Sequence, residues 1–343
     1  MYINWERWRS LIRYCLLRLA LAPLLVLVVA TIVFALMRLA PGDPIDAIVG
    51  TRAPLVVKAN LRQQTGLDGS LVQQYFRYLG GLLRFDLGKS LSTRGEPVSK
   101  IIQDFFPATA ELAIYSTVIA LVIGISLGIL TATKPRWELP GKLFSIVTYA
   151  LPLFWLGMVL QLLFSVQLGW FPLGGRIPTT IQIGKTITGL YTIDSLLQGN
   201  LSLFLVSLHH LVLPSFALGL VLSGIFERIM RVNLQEALQS DHVEAARARG
   251  ISERRILWSH GIRNALIPVV TVFGLTFAAL LGGAVMTEVT FSWPGLAHRL
   301  YSAILGRDYP VVQGLVVFFA IIATLFSILV DILNALIDPR IRY

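Results

Sequence analysis

Six stretches of the chain, each about 23–25 residues long and almost free of charge, restrict what it can become: Cys15–Met37, Ala108–Ala132, Leu143–Val166, Leu203–Phe226, Ala265–Val289 and Val312–Leu336. A helix of about 20 apolar residues crosses the hydrocarbon core of a bilayer. In lipid, only helices and closed barrels satisfy their own backbone N–H and C=O groups. Uniformly apolar runs of this length are too long for core strands. The pattern predicts an all-α integral membrane protein with six transmembrane helices. Composition supports this: 55% of the 343 residues are hydrophobic and only 14% are charged, where soluble domains carry about a quarter. Much of the surface therefore does not face water.

The basic start, "RWRSLIRY", precedes an apolar run that is too long for a signal h-region and lacks a small-residue cleavage site. A retained anchor is expected. The single cysteine, Cys15, rules out an intrachain disulfide and any Cys-based metal site. The net charge of +10 points to loops facing anionic lipid, not to nucleic acid. Basic residues of short loops set orientation. Arg7, Arg9, Arg13 and Arg18 at the start, Lys134, Arg136 and Lys142, the group from Arg228 to Arg263, and Arg340 and Arg342 fall on one side of a six-helix arrangement. That side is expected to be the cytoplasm, with both termini there. Residues 1–107 are expected to form a first helix plus an extracytoplasmic segment, and 108–343 a five-helix core with a charged loop at about 228–265.

Outside the spans, Leu71, Tyr75, Leu79 and Leu82 recur at helical spacing, predicting an amphipathic helix that lies on the membrane or caps the bundle. Gly88-Lys89-Ser90 resembles the tail of a phosphate-binding loop, but Leu83 stands where the first glycine is needed. Nucleotide binding is excluded there. There is no H-E-x-x-H, no G-x-S-x-G and no Cys/His cluster. His209 and His210 are adjacent and so diverge on a helix; they read as interfacial polar residues. Glu288 and Asp331 sit near span ends, where ion pairing or headgroup contact is expected rather than a proton relay. With the span centres almost uncharged, neither a metal, a cofactor nor an ion-coupled central site is expected. This weighs against a stand-alone secondary carrier or channel, and more strongly against a membrane enzyme.

The charged stretch "DHVEAARARGISERRILWSHGIRNALIP" remains. Asp241 followed by Glu244 predicts a capping box opening a short helix. Ala245, Ala246 and Ala248 favour that helix, and Gly250 ends it. Ser252 is expected to cap a second helix ending near Arg263, before Pro268 opens the fifth span. A compact alanine-rich helix at a fixed corner suits a partner's groove.

"EAARARG" with the later Ile267-Pro268 resembles the EAA motif of membrane subunits of ATP-binding-cassette importers. "RLAPGDP", "YALPLFWLGMVLQLLFSVQLGWFPLGGR", "TEVTFSWPGLAHRLYSAILGRDYPVVQG" and "DILNALIDPRIRY" are similar to the dipeptide, oligopeptide and nickel branch. The resemblance spans nearly the whole chain and implies a type I importer permease fold in a bacterial inner membrane. It implies a docking helix at Asp241, His242, Val243, Glu244, Ala245, Ala246, Arg247, Ala248, Arg249 and Gly250, with Ile267 and Pro268 completing the motif. The implied partners are a second homologous permease subunit, two ATP-binding-cassette ATPase subunits that hydrolyse the ATP, and an extracytoplasmic solute-binding protein. The implied solute is a di- or oligopeptide, or a related small solute such as a nickel chelate or glutathione.

Overall fold

The computed structural model describes residues 5–93, 95–181 and 186–337; Arg340 and Arg342 lie outside the described residues. Among these the elements are helical: α1 (Trp5–Leu39), α2 (Pro44–Val49), α3 (Leu55–Thr65), α4 (Leu71–Leu83), α5 (Val98–Thr133), α6 (Glu138–Ala150), α7 (Leu153–Leu160), α8 (Tyr191–Leu197), α9 (Leu201–Leu238), α10 (Asp241–Ala248), α11 (Glu253–Ile256), α12 (Arg263–Thr290), α13 (Leu296–Leu305) and α14 (Tyr309–Ile337). Five helical stretches, within α1, α5, α9, α11–α12 and α14, are long and apolar enough to cross a membrane.

The stretch expected at Leu143–Val166 departs from a straight span. Pro135–Ala150 and Leu153–Gln167 meet at 101°. The cause is Pro152, which has no N–H to donate and disfavours helical geometry at the residue before it. Leu151 accordingly turns extended, at φ −73°, ψ 125°. The helices also outrun their apolar windows, α9 continuing to Leu238. Hydropathy measures the bilayer crossing, whereas a helix continues into water while its side chains still pack.

The chain forms two compact units. The first comprises Ala110–Trp293 with the chain ends up to Arg18 and from Leu325. Its hub is α9, which packs on α6, α7, α8 and α12. Small residues allow close approach, the usual way helices associate where no hydrophobic gain separates protein from lipid. A Cβ on Gly124 or Gly128 of α5 would come within 2.5–2.6 Å of Phe226 or Met230, and one on Gly224 of α9 would overlap Thr148.

An ion pair ties Arg176 and Thr192, between α7 and α9, to α5 of this unit. Arg176 donates from Nε (2.9 Å) and Nη2 (2.6 Å) to Glu111 Oε2. The Thr192 amide and hydroxyl donate to Glu111 Oε1 at 2.8 and 2.6 Å, and the guanidinium lies 3.4 Å from the Tyr191 ring centroid. Both charged side chains are buried, so each needs this full set of partners. His209 and His210 pair with separate carbonyls, of Trp170 (2.7 Å) and Gly175 (3.2 Å), in keeping with structural polar roles. Asp331, expected to be ion-paired, meets Arg18 at 2.5 Å. Glu288 is fully buried, out of reach of headgroups, and its main-chain carbonyl accepts from the Trp293 amide at 2.8 Å.

The second unit comprises Leu19–Thr109 and Pro294–Thr324. Val33, Met37, Val98, Ile101, Leu296, Val312 and Leu315 form its core. Asp308, at the start of α14, accepts from the hydroxyls of Ser90 (2.5 Å) and Ser92 (2.6 Å) and from the amides of Leu91 and Ser92 (both 3.0 Å). The serine after Gly88-Lys89 thus serves a buried structural carboxylate.

Two outcomes test these polar nodes. Glu111→Ala leaves Arg176 buried and uncompensated and is expected to cost about 3–5 kcal/mol, while a Glu111→Gln/Arg176→Gln pair costs distinctly less; thermal unfolding in detergent reads the difference. Asp194 accepts from the Thr188 hydroxyl and the amides of Ile187, Thr188 and Gly189 at 2.6–3.1 Å. Burial alone would raise this carboxyl, but those donors outweigh it and hold it below the ordinary carboxylate value. Its stabilisation is therefore complete above the unfolded carboxylate pKa of about 4 and is lost as pH falls through the lower folded value. Hydrogen-exchange protection of the Thr188 and Gly189 amides should persist to about pH 4 and vanish on further acidification, and Asp194→Asn should reduce it at neutral pH.

Candidate functional site

Only Gln239 and Ser240 separate α9 from α10, so the short helix hangs directly from a long one. The expected capping box is absent. Ser240, not Asp241, is the N-cap residue (φ −78°, ψ 151°), and no side chain caps the helix start. The Ser240 hydroxyl turns back to donate to the Ala237 carbonyl at 2.6 Å, because the end of α9 leaves carbonyls unsatisfied within its reach. Asp241 and Glu244 occupy the first turn, where their charge favours the helix dipole without bonding an amide.

The C-terminal end follows the expectation in detail. Gly250 is left-handed at φ +73°; its amide donates to Arg247 O (2.9 Å) and that of Ile251 to Ala246 O (3.2 Å). This is a Schellman closure. A Cβ at Gly250 would touch nothing within 4 Å, so backbone conformation alone requires glycine there.

Val243 and Ala246 face inward, packing with Ile256 and against Leu238 and Ile251. Asp241, His242, Glu244, Ala245, Arg247, Ala248, Arg249 and Gly250 are exposed. Arg247 spans the corner, bonding Glu253 Oε1 (2.8 Å) and Oε2 (3.3 Å) and the Leu238 carbonyl (3.3 Å). The outcome is a helix fixed on one side and bare on the other, with small alanines at the centre of the bare side.

Beyond the corner, the predicted second helix does not end near Arg263. Ser252 stands at the N-cap of α11 without a side-chain bond. A π-helical segment, Leu257–Ile262, then leads straight into α12. Pro268 lies inside α12 rather than opening it; its missing N–H costs one bond that continuous neighbouring turns tolerate. Ile267 and Pro268 are half-buried and take no part in the exposed face. Gly261 in the π segment allows close passage over α9, since a Cβ there would lie 2.9 Å from Leu234 and 3.1 Å from Leu238.

Sequence reasoning missed a group about three turns before the end of α9. Glu227 of α9 is fully buried. It accepts from the hydroxyl of Thr131 on α5 (2.8 Å), from that of Ser145 on α6, and from Arg231 Nε one turn on (3.0 Å). A Cβ on Gly141 would lie 2.8 Å from its carboxylate. The available signal was the run Gly224, Glu227, Arg231, a small residue and an ion pair sharing one helix face.

The family described as binding-protein-dependent transport system inner membrane component matches residues 108–343, and its N-terminal counterpart matches 11–113. The chain is 42% identical over 323 residues to the di/tripeptide transport system permease protein DppB of Pseudomonas aeruginosa, covering 92% of this chain and 94% of that one. It is 35% identical to the dipeptide transport system permease protein DppB of Escherichia coli (97% and 99% covered). It is 38% identical to the glutathione transport system permease protein GsiC of Salmonella paratyphi A (97% and 100% covered).

The closure of α10 is directly testable. Gly250→Ala places a Cβ in left-handed geometry at a cost of about 1 kcal/mol, so amide exchange in α10 should quicken roughly fivefold. Gly250→Asn, which tolerates that geometry better, should lie between the two.

Proposed function

This chain belongs to the binding-protein-dependent transport system inner membrane component family, and from that premise we propose that it is half of a peptide-conducting pathway driven from outside itself. Its helical core has the type I importer permease fold. On this reading two copies or kinds of ATPase subunit bind and hydrolyse ATP, a second homologous permease subunit completes the pathway, and an extracytoplasmic solute-binding protein delivers the solute. The pathway subunit itself carries out no hydrolysis. The core is assigned to 108–343 and the first helix with its extracytoplasmic segment to 1–107, a division supported by the two matched family regions. Both termini and α10 are placed on the cytoplasmic face of the bacterial inner membrane, supported by the basic loops.

One observation carries the coupling role: α10 is anchored through Val243 and Ala246 while Glu244, Ala245, Ala248 and Arg249 are bare. A helix set at a defined angle to a long span transmits a push; a floppy loop absorbs it. α9 runs from α10 to Glu227, where α5 and α6 are bonded to it, so displacement of α10 is delivered to three helices together. For the solute, relatives are named for di/tripeptides, dipeptides and glutathione. These share a peptide backbone, and a di- or oligopeptide is the class proposed here.

Crosslinking tests the docking. Cys15 is the sole cysteine, so Cys15→Ser supplies a clean background. Ala245→Cys should crosslink to the ATPase subunit in a nucleotide-dependent manner, while Val243→Cys, buried behind the helix, should not. Gly250→Pro should insert normally yet uncouple ATP hydrolysis from uptake. Wild-type uptake by that variant, or ATP-independent uptake by this chain alone in vesicles, would overturn the reading.

A further inference from the structure

The apolar side of α4 is left bare by the rest of its unit. Val72, Phe76, Leu83 and Phe85 are 64%, 65%, 84% and 92% exposed. The opposite side of the helix is tied to α1. Tyr75 and Thr31 share a hydroxyl hydrogen bond of 2.8 Å, Phe34 packs edge-on against Tyr75 and stacks on Tyr78, and Arg38 donates to Gln74 at 3.1 Å. Thr31 and Phe34 belong to the membrane-crossing stretch Arg13–Leu39. At 1.5 Å per residue, Thr31 lies about 12 Å short of the end of that span. A helix bonded there lies alongside the last turns of the apolar stretch, not beyond its end. Beside it α1 bares Val28, Ile32 and Leu36, the kind of stripe a lone span turns to lipid.

The end of α4 adds an independent observation. Its C-terminus closes as α10 does, with the amide of Phe85 donating to Leu82 O (3.0 Å) and that of Asp86 to Gly81 O (2.9 Å). In α10 the left-handed position holds glycine. In α4 it holds Phe85, at φ +59°. A bulky residue is strongly disfavoured there, and in water its nearly bare ring gains nothing to offset that. In acyl chains it does. The adjoining Arg84 is exposed, and a long basic side chain can reach headgroups while its stem stays in lipid; the neighbouring Asp86 is occupied with the Gly88 amide at 2.9 Å.

We infer that α4 is a membrane-embedded interfacial helix, with Val72, Phe76, Leu83 and Phe85 in the acyl chains of the leaflet next to the outer end of α1 and Arg84 at the lipid phosphates. The occupant of this surface is phospholipid. The inference rests on α1 being a span and does not depend on how α10 docks.

Spin labels on the assembled transporter in phospholipid vesicles test it. In the Cys15→Ser background, nitroxides are placed at Phe76→Cys and Leu83→Cys, with Lys89→Cys as an exposed reference. Collisional relaxation is read with dissolved oxygen and with a water-soluble nickel chelate. Oxygen is expected to dominate severalfold at 76 and 83, and the nickel chelate at 89. Nickel access at 76 and 83 matching that at 89 would overturn the inference, as would exclusion of both reagents, which would show a protein surface there. Phe85→Gly keeps the turn and removes the ring; it is expected to raise nickel access at 83. No change would overturn the role of Phe85 as an anchor while leaving the turn intact.

Discussion

A carboxylate with no route to water organises the helical core. Glu227 is removed from solvent on every side, and an unpaired charge in that position would cost several kcal/mol. It is tolerated because Thr131, Ser145 and Arg231 all donate to it. Those donors come from α5, α6 and α9 itself, so satisfying one charge fixes the crossing of three helices. Glycines 124, 128, 141 and 224 bring the backbones close enough for short hydroxyl side chains to reach. Close packing and polar satisfaction are therefore the same requirement seen from two sides.

The placement of α10 follows from that crossing. α9 passes the node and continues three turns to Leu238, where Ser240 and the left-handed Gly250 bracket α10. The cluster of Val243, Ala246 and Ile256 is small, and alone would hold a short helix weakly. Arg247 adds a bond across the corner to Glu253 and another to the end of α9. The helix is held to its scaffold by a buried apolar contact on one side and by exposed Arg247 bonds across the corner.

The legible parts of this fold were those dictated by local chemistry. Uninterrupted apolar length marked the spans, and Gly250 marked the end of α10 because only one backbone region closes a helix that way. The misread parts depended on neighbours. Asp241 and Glu244 have the spacing of a capping box, but Ser240 takes the cap position and spends its hydroxyl on α9. Pro268 looks like an opening residue and sits inside α12, since the π segment before it keeps the helix unbroken. Pro152 lies within an apolar window that predicts an unbroken span, yet the two helices beside it meet at 101°. Glu111 is one acid in a greasy run, and its partners Arg176 and Thr192 lie in other segments; Glu227 has Arg231 on its own helix, but the hydroxyls of Thr131 and Ser145 that complete its set come from α5 and α6.

By itself the sequence determined that this chain enters a membrane as helices and carries one compact, alanine-rich helix outside it. Both are consequences of side-chain solubility and backbone propensity, which act over a few turns. Tertiary structure decided which acids are buried, which helices they join, and which face of α10 remains free. Those outcomes depend on donors brought from positions 65 to 96 residues away, and no local pattern encodes where such a donor will arrive.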